Sequence, residues 1–316
     1  MFPKSFKSYI LLTYKMISII LTAWEDPKST RKCIDLFLKE KIDESYEILA
    51  ACPDKETKNT ILKLKKKYPK IVKHFHQPRN MPKNELMNIL MRKSKGRIII
   101  FTDGNKFIER NAVKEIIKPF KDKKVGCAGG RVIPLNERNN MFGYWAFLLT
   151  NAANKTRLKW NKNKEYVEFS ANLLAIRNKV IKEMPLDVAE DAIIPYLFYK
   201  KNYRLVYADK AVIKVKYPTN INDWVKQKIR SIKSHEALNK YFKKEKDIRM
   251  KTFLNEILYS YIALTYPRNI KEVYWTLLLF PVRLYIWLLA LYQIKIKKDY
   301  YKATWSRSKS TLPLDE

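Results

Sequence analysis

The sequence predicts an α/β fold with a mostly parallel, twisted sheet, flanking helices, and apolar helices near the C-terminal end. Short apolar runs typical of buried strands occur at residues 16–22 (MISIILT), 46–51 (YEILAA) and 97–105 (RIIIFTDGN). Helical stretches of about 15 to 20 residues separate these runs, and that spacing indicates βαβ units. Hydrophobic residues make up 47% of the 316-residue chain, which is enough to form a substantial core.

The first half of the chain continues this alternation. Ser29 is placed to cap a helix that ends near residue 40, and a polar loop at residues 52–57 leads into a Lys-rich helix. A more exposed strand is predicted at 70–75 and a helix at 81–95, just before RIIIFTDGN. The first 110 residues therefore have the organisation of a nucleotide-binding α/β half.

The second half is predicted to add further strands and helices. We expect strands at 125–133, 168–176, 203–208 and 211–215, and helices at 111–121, 139–158, 188–200 and 224–242.

The C-terminal part is more apolar. Residues 253–266 are too few to span a bilayer, whereas residues 273–294 would form a helix of about 33 Å against a hydrocarbon core of about 30 Å. Pro281 and Arg283 interrupt this run. An Arg near the centre of a membrane-spanning helix raises the free energy of insertion by about 3 kcal/mol, whereas the apolar side chains lower it by about 4 to 7 kcal/mol. We therefore predict membrane attachment, with a single span, a re-entrant insertion and an interfacial helix all left open. The alternative is a pair of core helices.

Four segments follow from these patterns. We predict a basic, partly apolar segment at residues 1–15, a main domain at 16–245, a helical membrane-associated region at 246–300 and a loose polar tail at 301–316.

The turn after the third apolar run carries the first chemical signal. In open α/β sheets, ligands bind beyond the carboxyl ends of the strands, which is where Asp103 and Asn105 would lie. Two oxygen-bearing side chains two positions apart can reach one divalent ion, Mg²⁺ or Mn²⁺, and the phosphates that it carries. Gly104 between them permits a tight bend and a close backbone approach. A simple Asp-Gly-Asn turn is the alternative.

Charge is the most pronounced bulk feature. The chain has 64 Lys and Arg residues against 31 Asp and Glu residues, a net charge of +33. This excess indicates polyanionic partners, or else a genomic bias toward Lys. Anionic lipid and phosphorylated substrates fit better than nucleic acid, because the basic residues are spread along the whole chain without a nucleic-acid-binding motif. The three cysteines lack metal-ligand spacing and are expected to be reduced thiols.

Several short motifs now occur in a recognisable order. They are SIILTAWED, AACPDKET, KNELMN with Lys83 and Asn88, FTDGN, SANLLAIR, the Glu190-Asp191 pair, and QKIRS from Gln227 to Ser231. Over residues 16–235 this ordered set resembles the membrane-associated, inverting family 2 glycosyltransferases with the GT-A fold.

The resemblance implies roles for particular residues. Asp103 and Asn105 would hold the divalent cation, and Asp191 would be the general base beside its partner Glu190. The remaining nucleotide-sugar-binding positions would be Glu25, Asp54, Lys83, Asp103, Gln227 and Arg230. The implied partners are a nucleotide-sugar donor, a lipid-linked or glycan acceptor and membrane lipids, at the cytoplasmic face of the cell membrane.

Three positions depart from the family pattern. Asn105 replaces the usual final Asp, Ser231 replaces a Trp, and Pro82 stands where Gly is usual. These departures motivate the alternative of a non-catalytic GT-A protein that binds a nucleotide or a partner.

Other interpretations of individual residues, most of them purely structural, also stay open. Glu190 and Asp191 could cap a helix, Gln227 and Arg230 could form a solvated basic face, and Lys83 could be a surface charge. Conversely, His74 with His76 could form a metal pair, and His235 could be a third metal ligand.

Overall fold

The computed structural model describes residues 16–79, 81–242, 249–302 and 308–314. The predicted basic segment at residues 1–15, and the predicted boundary between residues 245 and 246, lie outside the described residues. The strands are β1 (Ile17–Thr22), β2 (Tyr46–Cys52), β3 (Val72–His76), β4 (Ile98–Asp103), β5 (Phe107–Ile108), β6 (Val125–Pro134), β7 (Leu174–Arg177) and β8 (Arg204–Val215). The helices are α1 (Pro27–Lys39), α2 (Lys55–Lys67), α3 (Lys83–Lys93), α4 (Ala112–Ile117), α5 (Met141–Lys162), α6 (Glu190–Lys200), α7 (Ile221–Glu236), α8 (Phe253–Leu258), α9 (Tyr261–Leu264) and α10 (Ile270–Lys295).

The strands form one sheet in the order β3-β2-β1-β4-β7-β6-β8-β5. Strands β3, β2, β1 and β4 are parallel neighbours, and β6 is parallel to β8, whereas β7 and the short β5 run antiparallel to their neighbours. The mostly parallel sheet with flanking helices is therefore confirmed. Because Thr22 is in register with Asp103, strands β1 and β4 end at the same edge of the sheet.

Apolar side chains fill both faces of the sheet. One core cluster joins β1, β2 and β4 to Ile34 and Phe37 of α1, and to Val113 and Ile116 of α4. The cluster on the other face joins the alternate residues of the same strands to α3 and α6. Alternation along the strands thus fixes which side chains face each helical layer.

Three predicted elements differ from the observed ones. Asp26, not Ser29, caps α1: its Oδ1 accepts a hydrogen bond from the Ser29 amide at 3.1 Å, and Pro27 occupies the first turn. The strand predicted at 168–176 pairs only over Leu174–Arg177; before it, the Phe169 ring packs on Gly129, where any added Cβ would lie 2.3 Å from the ring. The two strands predicted at 203–208 and 211–215 are one strand, β8, with a register irregularity where Ala208 and Val212 pair with consecutive residues of β6.

The long apolar helix α10 packs one of its faces on α5 and α7. Its buried residues include Leu279, Ile286, Trp287 and Ala290, and the indole nitrogen of Trp145 on α5 donates to the Trp275 carbonyl at 2.6 Å. Its opposite face exposes Val273, Tyr274, Leu277, Leu284, Tyr285, Leu288 and Tyr292. By length and composition alone, α10 is the one helix in the described chain that could cross a membrane, and 22% of its apolar window is buried.

The predicted loose tail is wrong for the described part of that tail. The Ser310 hydroxyl donates to Asp223 Oδ2 at the start of α7, and Leu314 packs against the first core cluster. Tyr301 lies against Arg230, with its ring centroid 5.8 Å from the guanidinium carbon. Polar composition suggested looseness, whereas Tyr301, Leu314 and two hydrogen bonds from Ser310 to Asp223 connect the described tail to the domain.

Candidate active site

Lys83 links the ends of two elements that are far apart in sequence. It begins α3, and its ammonium donates to Asp103 Oδ1 at 2.8 Å and to Glu190 Oε1 at 2.6 Å. Burial by itself would lower the pKa of Lys83, but the two carboxylates outweigh burial and raise that pKa. Lys83, Asp103 and Glu190 therefore form one hydrogen-bonded cluster at the carboxyl edge of the sheet.

The turn that carries Asp103 is pressed against the neighbouring strand. The Thr22 hydroxyl donates to Asp103 Oδ1 at 2.9 Å, and the Gly104 amide donates to the Thr22 carbonyl at 2.8 Å. A Cβ on Gly104 would lie 2.7 Å from the Thr30 hydroxyl and 2.8 Å from the Ala23 side chain. Glycine is needed here for close approach rather than for an unusual backbone angle.

A second lysine strengthens the positive field at this turn. Burial would raise the pKa of Asp103, but Lys83 and Lys106, with the hydrogen bonds from Lys83 and Thr22, hold it below its usual value. Burial, with some repulsion from Lys83, lowers the pKa of Lys106, although Asp103 opposes this shift. Two cations around one carboxylate suit a polyanionic group such as a diphosphate.

Two asparagines on α3 position the loop before Glu190. The Asn84 amide donates to the carbonyls of Pro185 and Val188, both at 2.7 Å. Asn88 exchanges two hydrogen bonds with the Met184 backbone, at 2.9 Å and 2.8 Å. Both asparagines belong to the KNELMN motif, but only Asn88 was singled out from the sequence. Asn84 could have been found because it lies four positions before Asn88, on the same face of the predicted helix.

Glu25 and Asp54 are brought together at the ends of β1 and β2. Asp54 accepts the Glu25 amide on Oδ2 and the Thr57 amide on Oδ1, both at 2.8 Å, and so caps α2. Glu25 is exposed and has a positive φ of 48°. Strand β2 lies two positions from β4 in the sheet, about 10 Å at usual strand spacing, so this pair borders the Lys83 cluster.

Gln227 and Arg230 lie one turn apart on α7, as expected for a helical pair. Arg230 contacts Tyr301, whose pKa is raised first by burial and then by the charge of Glu190. Asp191 adds to this shift and Arg230 opposes it. Arg230 therefore lies near the Glu190-Asp191 pair through Tyr301, whereas no described contact joins Gln227 to the Lys83 cluster.

The two neighbouring carboxylates have different surroundings. Glu190 is 7% exposed and paired with Lys83. Asp191 is more accessible, and its charge acts on His235 and Lys251 behind it. Of the two, Asp191 is therefore the more accessible residue.

His235 belongs to a buried polar cluster behind Asp191. Its Nδ1 lies 3.2 Å from Glu168 Oε2, and its Nε2 lies 2.7 Å from the Lys251 ammonium. Burial, followed by Lys251, lowers the pKa of His235, so the neutral ring with the proton on Nδ1 fits both neighbours. Although burial favours the protonated acid, His235, Lys251 and Arg249 lower the pKa of Glu168 to about 2. Because one ring nitrogen faces Glu168 and the other faces Lys251, the structure gives no support to His235 as a metal ligand.

A divalent ion has limited protein ligands in this site. Within the described residues, no group of three His, Cys, Asp or Glu side chains could hold a metal. The His74–His76 pair therefore has no third ligand of these types among the described residues. Asp103 is ionised with a side chain 25% exposed, and the half-buried Asn105 follows in the same turn. One carboxylate plus substrate phosphates is a usual Mg²⁺ ligand set, so these residues fit an ion that arrives with a diphosphate.

The fold of the chain is similar to that of several solved proteins. The mannosyltransferase PcManGT from Pyrobaculum calidifontis, solved with GDP-Man and Mn²⁺, is 14% identical over 89% of this chain and 81% of its own, with a TM-score of 0.59. Residues 1–349 of S. aureus TarS, solved with UDP-GlcNAc, are 16% identical over 90% of this chain and 93% of their own, with a TM-score of 0.49. No curated protein sequence matches the chain.

The likeness to PcManGT shows that the chain has the GT-A fold of glycosyltransferases. Residues 98–297, more than half of the chain, match the profile of Glycosyl transferase family group 2, and the protein belongs to this family. The expected family and fold are thereby confirmed.

Proposed function

We propose that the protein is a metal-assisted, inverting glycosyltransferase. It moves a sugar from a nucleotide-diphosphate donor to a hydroxyl of a lipid-linked or glycan acceptor at the cytoplasmic membrane face. The observation that carries this proposal is the Lys83 bridge between Asp103 and Glu190, which gathers three predicted site residues at the edge of the sheet where nucleotides bind. The GDP-Man and Mn²⁺ present in the structure of PcManGT agree with such a donor and cofactor.

The cationic side chains stabilise the negative charge of the departing diphosphate. As the sugar–phosphate bond breaks, negative charge grows on the diphosphate oxygens, and fixed ammonium groups close to those oxygens stabilise the transition state. Lys83 and Lys106 are held at this turn before the donor arrives. When bound, a divalent ion on Asp103 and Asn105 supplies further neutralisation of the same charge.

Asp191 acts as the general base that accepts the proton of the acceptor hydroxyl. The acceptor oxygen attacks the anomeric carbon, its proton passes to the Asp191 carboxylate, and the bond from the anomeric carbon to the diphosphate breaks on the opposite side. One direct displacement inverts the configuration of that carbon. Glu190 holds Lys83 in position and leaves its neighbour free to act as the base.

Membrane attachment is proposed through the exposed apolar face of α8, α9 and α10. This face carries Leu254, Leu258, Leu264, Leu277 and Leu288, each more than half exposed. Because the other face of α10 packs on α5 and α7, a helix lying in the interface fits better than a free span. Lys295, Lys297 and Lys298 follow α10 directly and suit anionic headgroups on the cytoplasmic side.

Donor hydrolysis tests the proposal. Purified full-length protein in detergent with Mn²⁺ is given a panel of UDP-, GDP- and dTDP-sugars, and release of the nucleoside diphosphate is measured beside Asp103→Ala. We expect release from one donor and its loss in the variant. Nucleotide binding without turnover, even with membrane lipid extract as acceptor, would instead favour the non-catalytic GT-A protein.

A further inference from the structure

A large cavity lies among α5, α7 and the helices after residue 249, and its lining does not include the Lys83 cluster. Its volume is about 780 Å³, within the range of small-molecule sites, and it is lined by α5, α7, α8, α9 and α10. Its walls are mainly apolar, and they include Leu148, Leu149, Ala153, Leu279 and Phe280.

Positive charge is concentrated in this apolar cavity. Arg283 of α10 makes a paired contact with Glu256 at 2.5 Å and 2.6 Å, and the Trp287 indole also donates to Glu256 at 2.7 Å. Among the described residues that line the cavity, Glu256 is the one carboxylate, and it is thus already engaged. Lys228 of α7 also lines the cavity, and no described carboxylate forms an ion pair with it.

Aromatic rings are the described neighbours of the Lys228 ammonium. Its nitrogen lies 4.9 Å from the centroid of Trp224 and 5.4 Å from that of Tyr217. Removal from water, followed by repulsion from Arg283, lowers the pKa of Lys228 to about 7, although the charge of Glu256 opposes this shift. An anion placed in the cavity would favour the charged form of Lys228.

The cavity joins two surfaces that the proposed reaction needs. Its lining includes His235 and Lys251, on which the charge of Asp191 acts. Its lining also includes Ile257 and Leu284, which are 53% and 49% exposed on the apolar face of α8 to α10. A ligand could therefore enter from a lipid surface and end near the proposed base.

We propose that this cavity binds the sugar acceptor, and that the acceptor is an anionic amphiphile. Its apolar chain lies between α5 and α10, and its phosphate-type headgroup contacts Lys228. This assignment rests on the proposed function, because it takes Asp191 as the base. Charge complementarity selects an anion over a neutral or cationic amphiphile, and the apolar walls select a chain-bearing ligand over a free anion.

Binding is measured without a donor, which separates this proposal from catalysis. Full-length protein is titrated with decyl phosphate below its micellar concentration, and calorimetry and tryptophan fluorescence report affinity. Inorganic phosphate and decyl maltoside are the matched ligands. We expect decyl phosphate to bind at least tenfold more tightly than either one. Equal binding of inorganic phosphate, equal binding of decyl maltoside, or no binding of decyl phosphate would each overturn the proposal.

Variants then locate the binding site. Lys228→Gln should weaken decyl phosphate at least tenfold, whereas Lys226→Gln, an exposed lysine on the same helix, should leave its affinity unchanged. Ala153→Leu, which narrows the cavity without changing charge, should weaken decyl phosphate and decyl maltoside alike. Unchanged affinity in Lys228→Gln, with thermal unfolding showing a folded protein, would refute the assignment. Failure of donor hydrolysis with these binding results intact would refute only the proposed transfer.

Discussion

The Lys83 ammonium and the Glu190 carboxylate lie 2.6 Å apart, although 107 positions separate them in the chain. Each residue begins a helix, and Asp103 at the end of β4 completes the contact. One lysine thus connects the α3, β4 and α6 ends, so changes to it should affect both the site and the fold.

Replacing Lys83 by Met should lower donor hydrolysis by about 10²- to 10³-fold, since a fixed charge facing the leaving group is lost. Two carboxylates would also lose their shared partner, so the midpoint of thermal unfolding should fall. Steady-state hydrolysis and thermal unfolding measure the two effects. Lys93→Met, an exposed lysine at the end of the same helix, is the control. Hydrolysis that stays within threefold of wild type would exclude Lys83 from leaving-group stabilisation.

Asp191→Asn should lower transfer to an acceptor by about 10²- to 10⁴-fold while nucleotide affinity stays unchanged, because only the proton acceptor is lost. Transfer from labelled donor to membrane lipid extract, together with calorimetric nucleotide binding, separates the two quantities. Glu183→Gln, an exposed acid in the loop before α6, is the matched control. A variant that loses nucleotide binding as well would assign Asp191 to the donor site instead.

Mn²⁺ should bind weakly to the protein alone and more tightly in the presence of a nucleoside diphosphate. Asp103 and Asn105 offer few ligands, and Lys83 and Lys106 repel an ion that arrives without phosphate. Electron paramagnetic resonance of free Mn²⁺ measures binding with and without GDP or UDP. Asn105→Asp should raise the affinity about tenfold by adding a charge. Tight Mn²⁺ binding without nucleotide would contradict this account of the site.

Lys228→Met should raise the free energy of unfolding at neutral pH. The pKa of Lys228 is about 7 in the folded protein against 10.5 as its ordinary value, so the unfolded chain binds more protons between these two pH values. The stability of the wild-type protein should therefore rise with pH across that window, and the variant should show a flatter profile. Thermal unfolding from pH 6.5 to 9.5 tests this, with Lys226→Met as the control. Parallel profiles for wild type and Lys228→Met would show that Lys228 is not desolvated.

Substituting Leu277 and Leu288 together by Glu should weaken binding to anionic vesicles at least tenfold, because both side chains lie on the exposed face of α10. Leu186→Glu, an exposed leucine in the loop before α6, should have no effect. Vesicle co-sedimentation measures binding. Alkaline carbonate should release the wild-type protein from membranes, and retention of the protein in the membrane would favour a spanning α10.

The fold follows from local patterns in the sequence. Apolar runs such as residues 16–22 and 97–105 predict the parallel core, and the ordered motifs single out Lys83, Asp103 and Glu190, whose mutual contacts only the structure shows. The errors arise where tertiary contacts override local pattern. Ser29 looks like a helix cap, but with Asp26 as the cap and Pro27 in the first turn, α1 begins three residues earlier.

The cavity and the buried His235 cluster were not predictable in the same way. Glu168, His235 and Lys251 come from three separate parts of the chain, and nothing in their spacing marks them as neighbours. Lys228 is one lysine among many in a chain with a net charge of +33. Only the packing of α10 against α5 and α7 distinguishes it from a solvated surface residue.

The packing of α10 has a further consequence for how the chain is made. Tyr144, Trp145 and Trp224 on α5 and α7 are at most 1% exposed, and α10 belongs to the cluster that covers them. A chain that ends before residue 246 would leave these rings facing water when the α/β core folds. Nascent chains should therefore remain prone to aggregation until α10 has left the ribosome. The α/β part together with α10, rather than the α/β part alone, is then the unit that chaperones and proteases would recognise as folded.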